Sequence, residues 1–280
     1  MLDITIVIPV KNEEVNLPTC IKSIGNDFVK KIVVVDSGST DRTKEIAIEY
    51  GVEFIEFKWD GNFPKKRNWY LRNHTPTTEW VLFLDADEYL TDEFKIELSR
   101  KLSNSRDIVG YWLNYSIFFM EKKLKGGYPL SKLALFKVGF GEYEKIQEDR
   151  WSNLDMEIHE HPILKGKIET IKSKINHIDY RGISHYIIKH NEYASWEASR
   201  YLMDISDLEK RSRWTFKQKI RYKMLESLLI GPLYFIVSFF FMGGFKDGKI
   251  GFAFAIFKMS YFTQIYCKIK EQRLEVESAS

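Results

Sequence analysis

The sequence predicts a doubly wound α/β domain, a mostly parallel sheet with helices on both faces, followed by a helical region of different character. Three observations carry that reading. Short β-rich runs recur through the first 105 residues, about 21 to 29 residues apart, the length that a strand plus a crossover helix requires. Two of the runs, VVV at 33–35 and VLFL at 81–84, are apolar without alternation, as expected of strands covered on both faces. Charge also divides along the chain: residues 1–180 carry 26 basic and 29 acidic side chains, net −3, whereas 181–280 carry 16 and 10, net +6.

In order along the chain, runs at 4–10, 31–36, 52–57 and 80–85 read as parallel strands. The helix between the second and third has Ser39 or Thr40 as its N-cap, Asp41 in its first turn and Gly51 just past its end. Longer β-rich runs at 109–119 and 133–138, joined by irregular charged segments, read as an extension of the same sheet. Residues 182–228 read as helical, and 229–266 are dominated by aromatic and aliphatic side chains. This organisation gives a catalytic-type α/β domain over 1–180, in two halves at 1–105 and 106–180, and a helical basic and apolar region over 181–280.

Composition excludes other classes. With 44% hydrophobic and 15% aromatic residues, the 280-residue chain can bury a core and is neither disordered nor fibrous. Two cysteines, Cys20 and Cys267, cannot build a disulfide framework. The N-terminus runs straight into DITIVIPV without a basic leader or cleavage site, so a cytosolic location is expected.

The chemistry is expected at the carboxyl ends of the strands, where doubly wound sheets bind ligands. Asp85-Ala86-Asp87-Glu88 follows the apolar strand WVLFL. In an extended segment, residues i and i+2 project to one side, so Asp85 and Asp87 can converge on a divalent cation, and hard carboxylate oxygens select Mg2+ or Mn2+. The alternative is a pair of solvated acids opening the turn before the helix TDEFKIELSRKL. Strand one ends in IPVKNEE at 8–14 and strand two in VVDSGSTD at 34–41. Asp36 can accept hydrogen bonds from a base or ribose, or merely open the Ser-Gly-Ser-Thr turn. No G-x-G-x-x-G follows strand one, so a dinucleotide cofactor is not expected. FPKKRN at 63–68 offers Lys65, Lys66 and Arg67 to a diphosphate, unless they form a solvated helix face.

These motifs, IPVKNEE, VVDSGSTD, KKRNW and WVLFLDADE in that order, make the sequence resemble the family 2 glycosyltransferases of the GT-A fold. The resemblance implies transfer of a sugar from a nucleotide diphosphate donor, expected to be a UDP-sugar, with inversion at the anomeric carbon. It further implies that Pro9, Val10 and Glu13 line the nucleoside and that Asp36 reads the base. Arg67 neighbours the nucleotide, while Asp85 and Asp87 present the metal to the diphosphate. KLALFK at 132–137, IHEH at 158–161, NHIDYRGISHYIIKHNEYASWEA at 176–198 and FFFMGGFKDGKIGF at 239–252 look like the lipopolysaccharide-core β-glucosyltransferase branch. That implies a hexose, glucose by resemblance, moved to a lipopolysaccharide-core or other lipid-linked glycan.

An inverting displacement needs a general base besides the metal pair. Glu160 is the choice, matching the His-Glu of the branch, with Glu148, Asp149 and Glu157 as rivals. His159 and His161 could instead flank Glu160 in a transition-metal site, but no H-e-x-x-H spacing or partner cysteine supports one. His177 and His185 read as structural, or one of them as a diphosphate contact. The competing functions are a sugar nucleotidyltransferase, for which the strand-one loop lacks a Gly-rich basic signature, and an inactive scaffold of the same fold.

The C-terminal third adds a partner. Residues 210–223 hold seven basic side chains and no acidic one, interleaved with Trp214, Phe216, Ile220 and Tyr222. LLIGPLYFIVSFFFM at 228–242 holds 15 uncharged residues, short of the roughly 20 a spanning helix needs. A basic amphipathic stretch followed by an apolar hairpin, with 250–257 as its return limb, predicts association with an anionic membrane surface through 210–262, on the inner face of the cell membrane. No nucleic-acid motif is present, so nucleic acid is not an expected partner.

Overall fold

The computed structural model describes residues 1–145, 161–207, 211 and 214–279. The chain divides into two compact units, Met1–Phe118 with Pro129–Tyr180, and Phe119–Tyr128 with Arg181–Ser280.

The first unit is built on one mixed, largely parallel sheet. Its strands are β1 (Leu2–Val10), β2 (Val29–Asp36), β3 (Glu53–Glu56), β4 (Trp80–Phe83), β5 (Glu88–Tyr89), β6 (Ile108–Phe119), β8 (Ser131–Lys137) and β11 (Lys167–His177), in the order β3-β2-β1-β4-β8-β6-β11-β5. A short β7 (Lys122–Lys123) lies in the 119–128 segment of the second unit, and in the first unit β9 (Gly141–Tyr143) pairs antiparallel with β10 (Pro162–Leu164). The β3-β2-β1-β4 half is parallel throughout, whereas β8 runs antiparallel to both β4 and β6.

Alternation across the pleat divides β1 between two cores. Ile4, Ile6, Ile8 and Val10 face one side, where Leu17, Cys20, Ile21 and Ile24 of α1 (Leu17–Ile24), Ile46 and Ala47 of α2 (Thr43–Glu49) and Phe94 and Leu98 of α4 (Asp92–Leu102) pack on them. Val7 turns the other way with Val33, Val35, Val81 and Phe83, beneath Tyr70 of α3 (Lys66–Asn73). Both faces are thus covered, which is why β2 and β4 read as unbroken apolar runs. Leu82 is fully buried at the centre of the first core, so Leu82→Ala should cost about 2–5 kcal/mol, read as a lower urea midpoint at unchanged m. A fall under 1 kcal/mol would mean the core is looser than its burial indicates.

Two local expectations are corrected. Helix α2 begins at Thr43, later than a Ser39 or Thr40 cap would place it, and the side chain of its N-cap residue, Arg42, makes no capping hydrogen bond. Asp41 Oδ1 accepts from the Thr43 N–H at 3.0 Å in a tight turn, while Thr40 N–H donates at 2.8 Å to Asn12 Oδ1 in the loop after β1. The polar side chains that would cap the helix are committed to other partners. Gly51 does follow the helix, at φ +65°, with its N–H on the Ile48 carbonyl at 2.9 Å. The second correction concerns β4, which ends at Phe83, so the acidic triplet is not extended. The Glu88 N–H donates to the Asp85 carbonyl at 2.9 Å, closing a β-turn over Asp85–Glu88.

The second unit is helical. It comprises α5 (Gly182–Ser206), α6 (Phe216–Leu225), α7 (Ile230–Ile236) continuing into a wider π turn (Val237–Phe241), a 3-10 turn (Gly244–Asp247) and α8 (Gly248–Ala279). Ala194, Ala198 and Tyr201 of α5 pack with Tyr261, Ile265 and Ile269 of α8. Polar ties fix the rest: Arg221 pairs with Glu197 at 2.9 Å, and the Tyr222 hydroxyl donates to Asp204 at 2.9 Å.

Candidate active site

The carboxyl ends of β1, β2 and β4 lie side by side, and the three loops that leave them are tied together. Val10 pairs with Asp36 across β1 and β2, and the Leu84 N–H donates to the Val7 carbonyl at 3.0 Å. Asn12, at φ +56°, is one of the few non-glycine residues in the left-handed region, a conformation that asparagine tolerates. Its N–H meets the Ser39 hydroxyl at 2.8 Å, and the Glu13 N–H donates to the Thr43 hydroxyl at 2.8 Å, so the first two loops form one ledge.

Asp36 is 4% exposed and serves this ledge directly. Its Oδ2 accepts from the Gly38 and Ser39 N–H groups at 3.0 and 2.9 Å, and its Oδ1 accepts from the Ser39 hydroxyl. The turn-forming alternative is therefore realised at Asp36. Gly38 sits at φ +85°, which the turn demands of a residue without a Cβ. Glu13 accepts from the Asn16 amide at 3.0 Å, and the Val10 carbonyl accepts from Lys66 Nζ at 2.8 Å. Pro9 lies in β1, in register with Val35.

The basic run is not a solvated face. Lys65, Lys66, Arg67 and Asn68 are all buried, with Asn68 bonded through its amide to both the N–H and the carbonyl of Tyr143 at 2.9 Å. Anchored this way, the start of α3 delivers Arg67 to the acidic turn. Arg67 donates to Asp85 Oδ1 at 2.8 Å and lies over the Tyr143 ring.

The other oxygen of Asp85 is taken by a residue to which the sequence analysis gave no role. Lys132 Nζ, carried in by antiparallel β8, donates to Asp85 Oδ2 at 2.6 Å and to Glu88 Oε1 at 2.5 Å. Glu88 Oε2 accepts from the Asp85 N–H at 3.2 Å and from the Tyr115 hydroxyl at 3.3 Å. Burial works against ionising Asp85, but Lys132 and then Arg67 outweigh it and hold the carboxyl well below the usual carboxylate range. Burial likewise pushes against a charged Lys132, yet Asp85 and Glu88 keep the ammonium protonated far above its ordinary range. For Glu88 burial wins, and its carboxyl is raised despite Lys132. Asp85 is therefore held ionised between two fixed cations.

Asp87, 3% exposed, takes a different partner: His177 Nε2 lies 3.4 Å from its Oδ2. His177 ends β11, and β11 pairs antiparallel with β5 in the register His177↔Glu88, so this contact is made by sheet pairing rather than by sequence proximity. The Ile178 N–H further donates to the Asp87 carbonyl at 2.9 Å.

The structure thus brings Asp85, Asp87 and Arg67 into one cluster with Lys132, Glu88, Tyr115 and His177, and sets Val10, Glu13 and Asp36 in the adjoining ledge. Glu160, its rivals Glu148, Asp149 and Glu157, and His159 lie outside the described residues. His161 packs edge-on against Trp112 at 4.8 Å, and burial, with Lys132 and Arg67, pulls its pKa down. His185 lies in the first turn of α5.

Among the described residues, no three His, Cys, Asp or Glu side chains converge as a ready-made metal cage. A divalent ion here would need part of its coordination from a ligand, as Mg2+ commonly takes it from substrate phosphates. The donor set fits on those terms: the Asp87 carboxylate and the His177 imidazole face each other, with Asp85 two residues away.

A family model described as Glycosyl transferase family 2 matches residues 5–154. An uncharacterized glycosyltransferase of Rickettsia typhi is 27% identical over 92% of this chain and 85% of its own length. The lipopolysaccharide core biosynthesis glycosyltransferase LpsC of Rhizobium meliloti is 26% identical, over 86% of this chain and 82% of that protein. A TPR repeat-containing protein of Synechococcus elongatus is 36% identical over 48% of this chain, which spans only 31% of that longer relative. Among solved structures, the glucosyl-3-phosphoglycerate synthase of Mycobacterium tuberculosis, in complex with Mn2+, UDP and glucosyl-3-phosphoglycerate, aligns at a TM-score of 0.33 and 26% identity over 41% of this chain and 43% of its own.

Proposed function

This chain belongs to glycosyl transferase family 2, and from that premise we propose that it moves a hexose, glucose by preference, from a UDP-sugar to a lipopolysaccharide-core or other lipid-linked glycan, with inversion. The observation that carries the reading is the charge arrangement at the end of β4, where Arg67 and Lys132 clamp Asp85 next to the Asp87–His177 pair. Fixed cations beside hard-oxygen donors suit a diphosphate and its counter-ion, because charge-assisted contacts hold phosphate oxygens strongly. The similarity to LpsC supports the acceptor class.

Asp87 and His177, with Asp85 adjacent, would hold Mg2+ or Mn2+; such an ion, when bound, supplies Lewis-acid stabilisation to negative charge on a phosphate oxygen. The chain's own groups do the remainder. Val10, Glu13 and Asp36 form the ledge at which the nucleoside is oriented. Pro9, in β1 immediately before Val10, bounds the ledge at its base. Arg67 and Lys132 provide positive charge where the diphosphate departs. The acceptor hydroxyl forms its bond to the anomeric carbon as the bond to UDP breaks; Glu160 takes the hydroxyl proton and UDP leaves with the electron pair.

A panel of nucleotide sugars, scored for transfer and slow hydrolysis with and without Mn2+, tests the donor: turnover only with UDP-hexoses and metal is expected, and metal-independent turnover would overturn the ion's role. Glu160→Gln should lose about 10² to 10⁴-fold in kcat, the usual contribution of a general base, with UDP affinity by calorimetry unchanged. Retention of full turnover would transfer the base to Glu148, Asp149 or Glu157.

A further inference from the structure

The helical unit displays an apolar face that its own packing leaves uncovered. Through α7 and the π turn, Leu229, Leu233, Ile236, Val237, Phe240 and Phe241 are exposed, the last by 80%. Their spacings of three and four place them on one side of the helix. The opposite side is fully used. Ser238 is buried there, and Gly231 lies so close to Thr263 and Met259 of α8 that a Cβ there would collide with both. The face continues past the bend: Phe245 is exposed in the connection, and Phe252 and Ile256, one turn apart, are exposed on α8. Monomeric surfaces rarely show so many large apolar side chains in succession without a partner.

Charge borders the face. Lys246 and Lys249 are exposed around the bend. The acid between them, Asp247, spends its carboxylate on the N–H groups of Lys125 and Gly126 at 2.8 to 3.0 Å. Lys219 and Lys223 are exposed on α6. No single helix among the described residues is long and apolar enough to cross a membrane; one pair, Lys219–Leu225 with Ile230–Phe241, passes only in combination and is bent by 118°.

We propose that this face lies in the plane of an anionic lipid bilayer, with Phe240, Phe241 and Phe245 inserted at the headgroup boundary and Lys246 and Lys249 among the headgroup phosphates. A bilayer accommodates both features at once, burying rings while its surface potential attracts the lysines. A second copy of the chain would cover the rings but would bring its own lysines against these. The inference does not depend on the transfer chemistry, so either can fail without the other.

The test is co-sedimentation of the full chain with vesicles of phosphatidylcholine alone and of phosphatidylcholine with phosphatidylglycerol, beside the oligomeric state by analytical ultracentrifugation without lipid. Binding to the anionic vesicles, weakened by salt, is expected. Phe240→Ser with Phe241→Ser should weaken it on the order of tenfold or more. Lys246→Gln with Lys249→Gln should weaken it about fivefold per lysine on anionic vesicles only. All four positions are solvent-exposed, so thermal unfolding should stay at the parent temperature. A chain that stays in the supernatant with anionic vesicles, binding that ignores the phenylalanine pair, or a lipid-free dimer dispersed by that same pair would overturn the proposal.

Discussion

Asp87→Ala is expected to lower kcat/KM on the order of 10³-fold, about 4 kcal/mol of transition-state stabilisation, because it deletes the one carboxylate of the acidic turn that faces an imidazole rather than two cations. The fold should survive, since the core beside the turn is contributed by Leu84, Ala86 and Tyr89 rather than by the carboxylate. Calorimetric titration with Mn2+ in the presence of UDP separates the two possible roles of the residue. Lost metal uptake with lost turnover places the ion at Asp87 and His177, and His177→Ala should then reproduce a milder version. Unchanged turnover would remove the acidic turn from the chemistry altogether.

Lys132→Met is expected to act on stability as strongly as on activity. Removing one partner of a buried charge cluster leaves the others uncompensated, typically at a cost of about 3–5 kcal/mol. Here Glu88 is 1% exposed and would face Asp85 without the ammonium between them. The pH dependence has a definite sign. Glu88 is already raised in the folded chain by burial and by Asp85, and without Lys132 it rises further. An acid whose folded pKa lies above its unfolded one costs stability at high pH and is relieved as pH falls through the folded value. The urea midpoint of Lys132→Met should therefore approach that of the parent as pH is lowered, and the double variant with Glu88→Gln should recover much of the loss at neutral pH. A loss independent of pH, or no recovery in the double variant, would show that Lys132 acts by packing over Tyr115 rather than by charge.

The strand ends were legible because each motif is local. IPVKNEE, VVDSGSTD and WVLFLDADE each join an apolar run to polar residues, and in a parallel half-sheet such junctions fall at one edge. KKRN was ambiguous, since a basic helix start looks the same whether solvated or buried; Asn68 gripping the Tyr143 backbone decided for burial. Lys132 heads KLALFK, a motif the resemblance picks out, yet a lone lysine at a strand start has no periodicity to mark it. His177, which reads as structural or as a diphosphate contact, lies at a strand end, where its partner is set by sheet pairing.

The sequence by itself determined the β-α alternation, the two-sided burial of β2 and β4 and the apolar stretch at 228–242, because all of these are periodic or contiguous patterns that a backbone of fixed pitch converts directly into faces. Only the tertiary structure decided which charges meet. Lys132 reaches Asp85 from 47 residues away because β8 inserts antiparallel between β4 and β6. His177 reaches Asp87 because β11 pairs with the two-residue β5. Strand order is set by the packing of the whole sheet, and no local pattern encodes it.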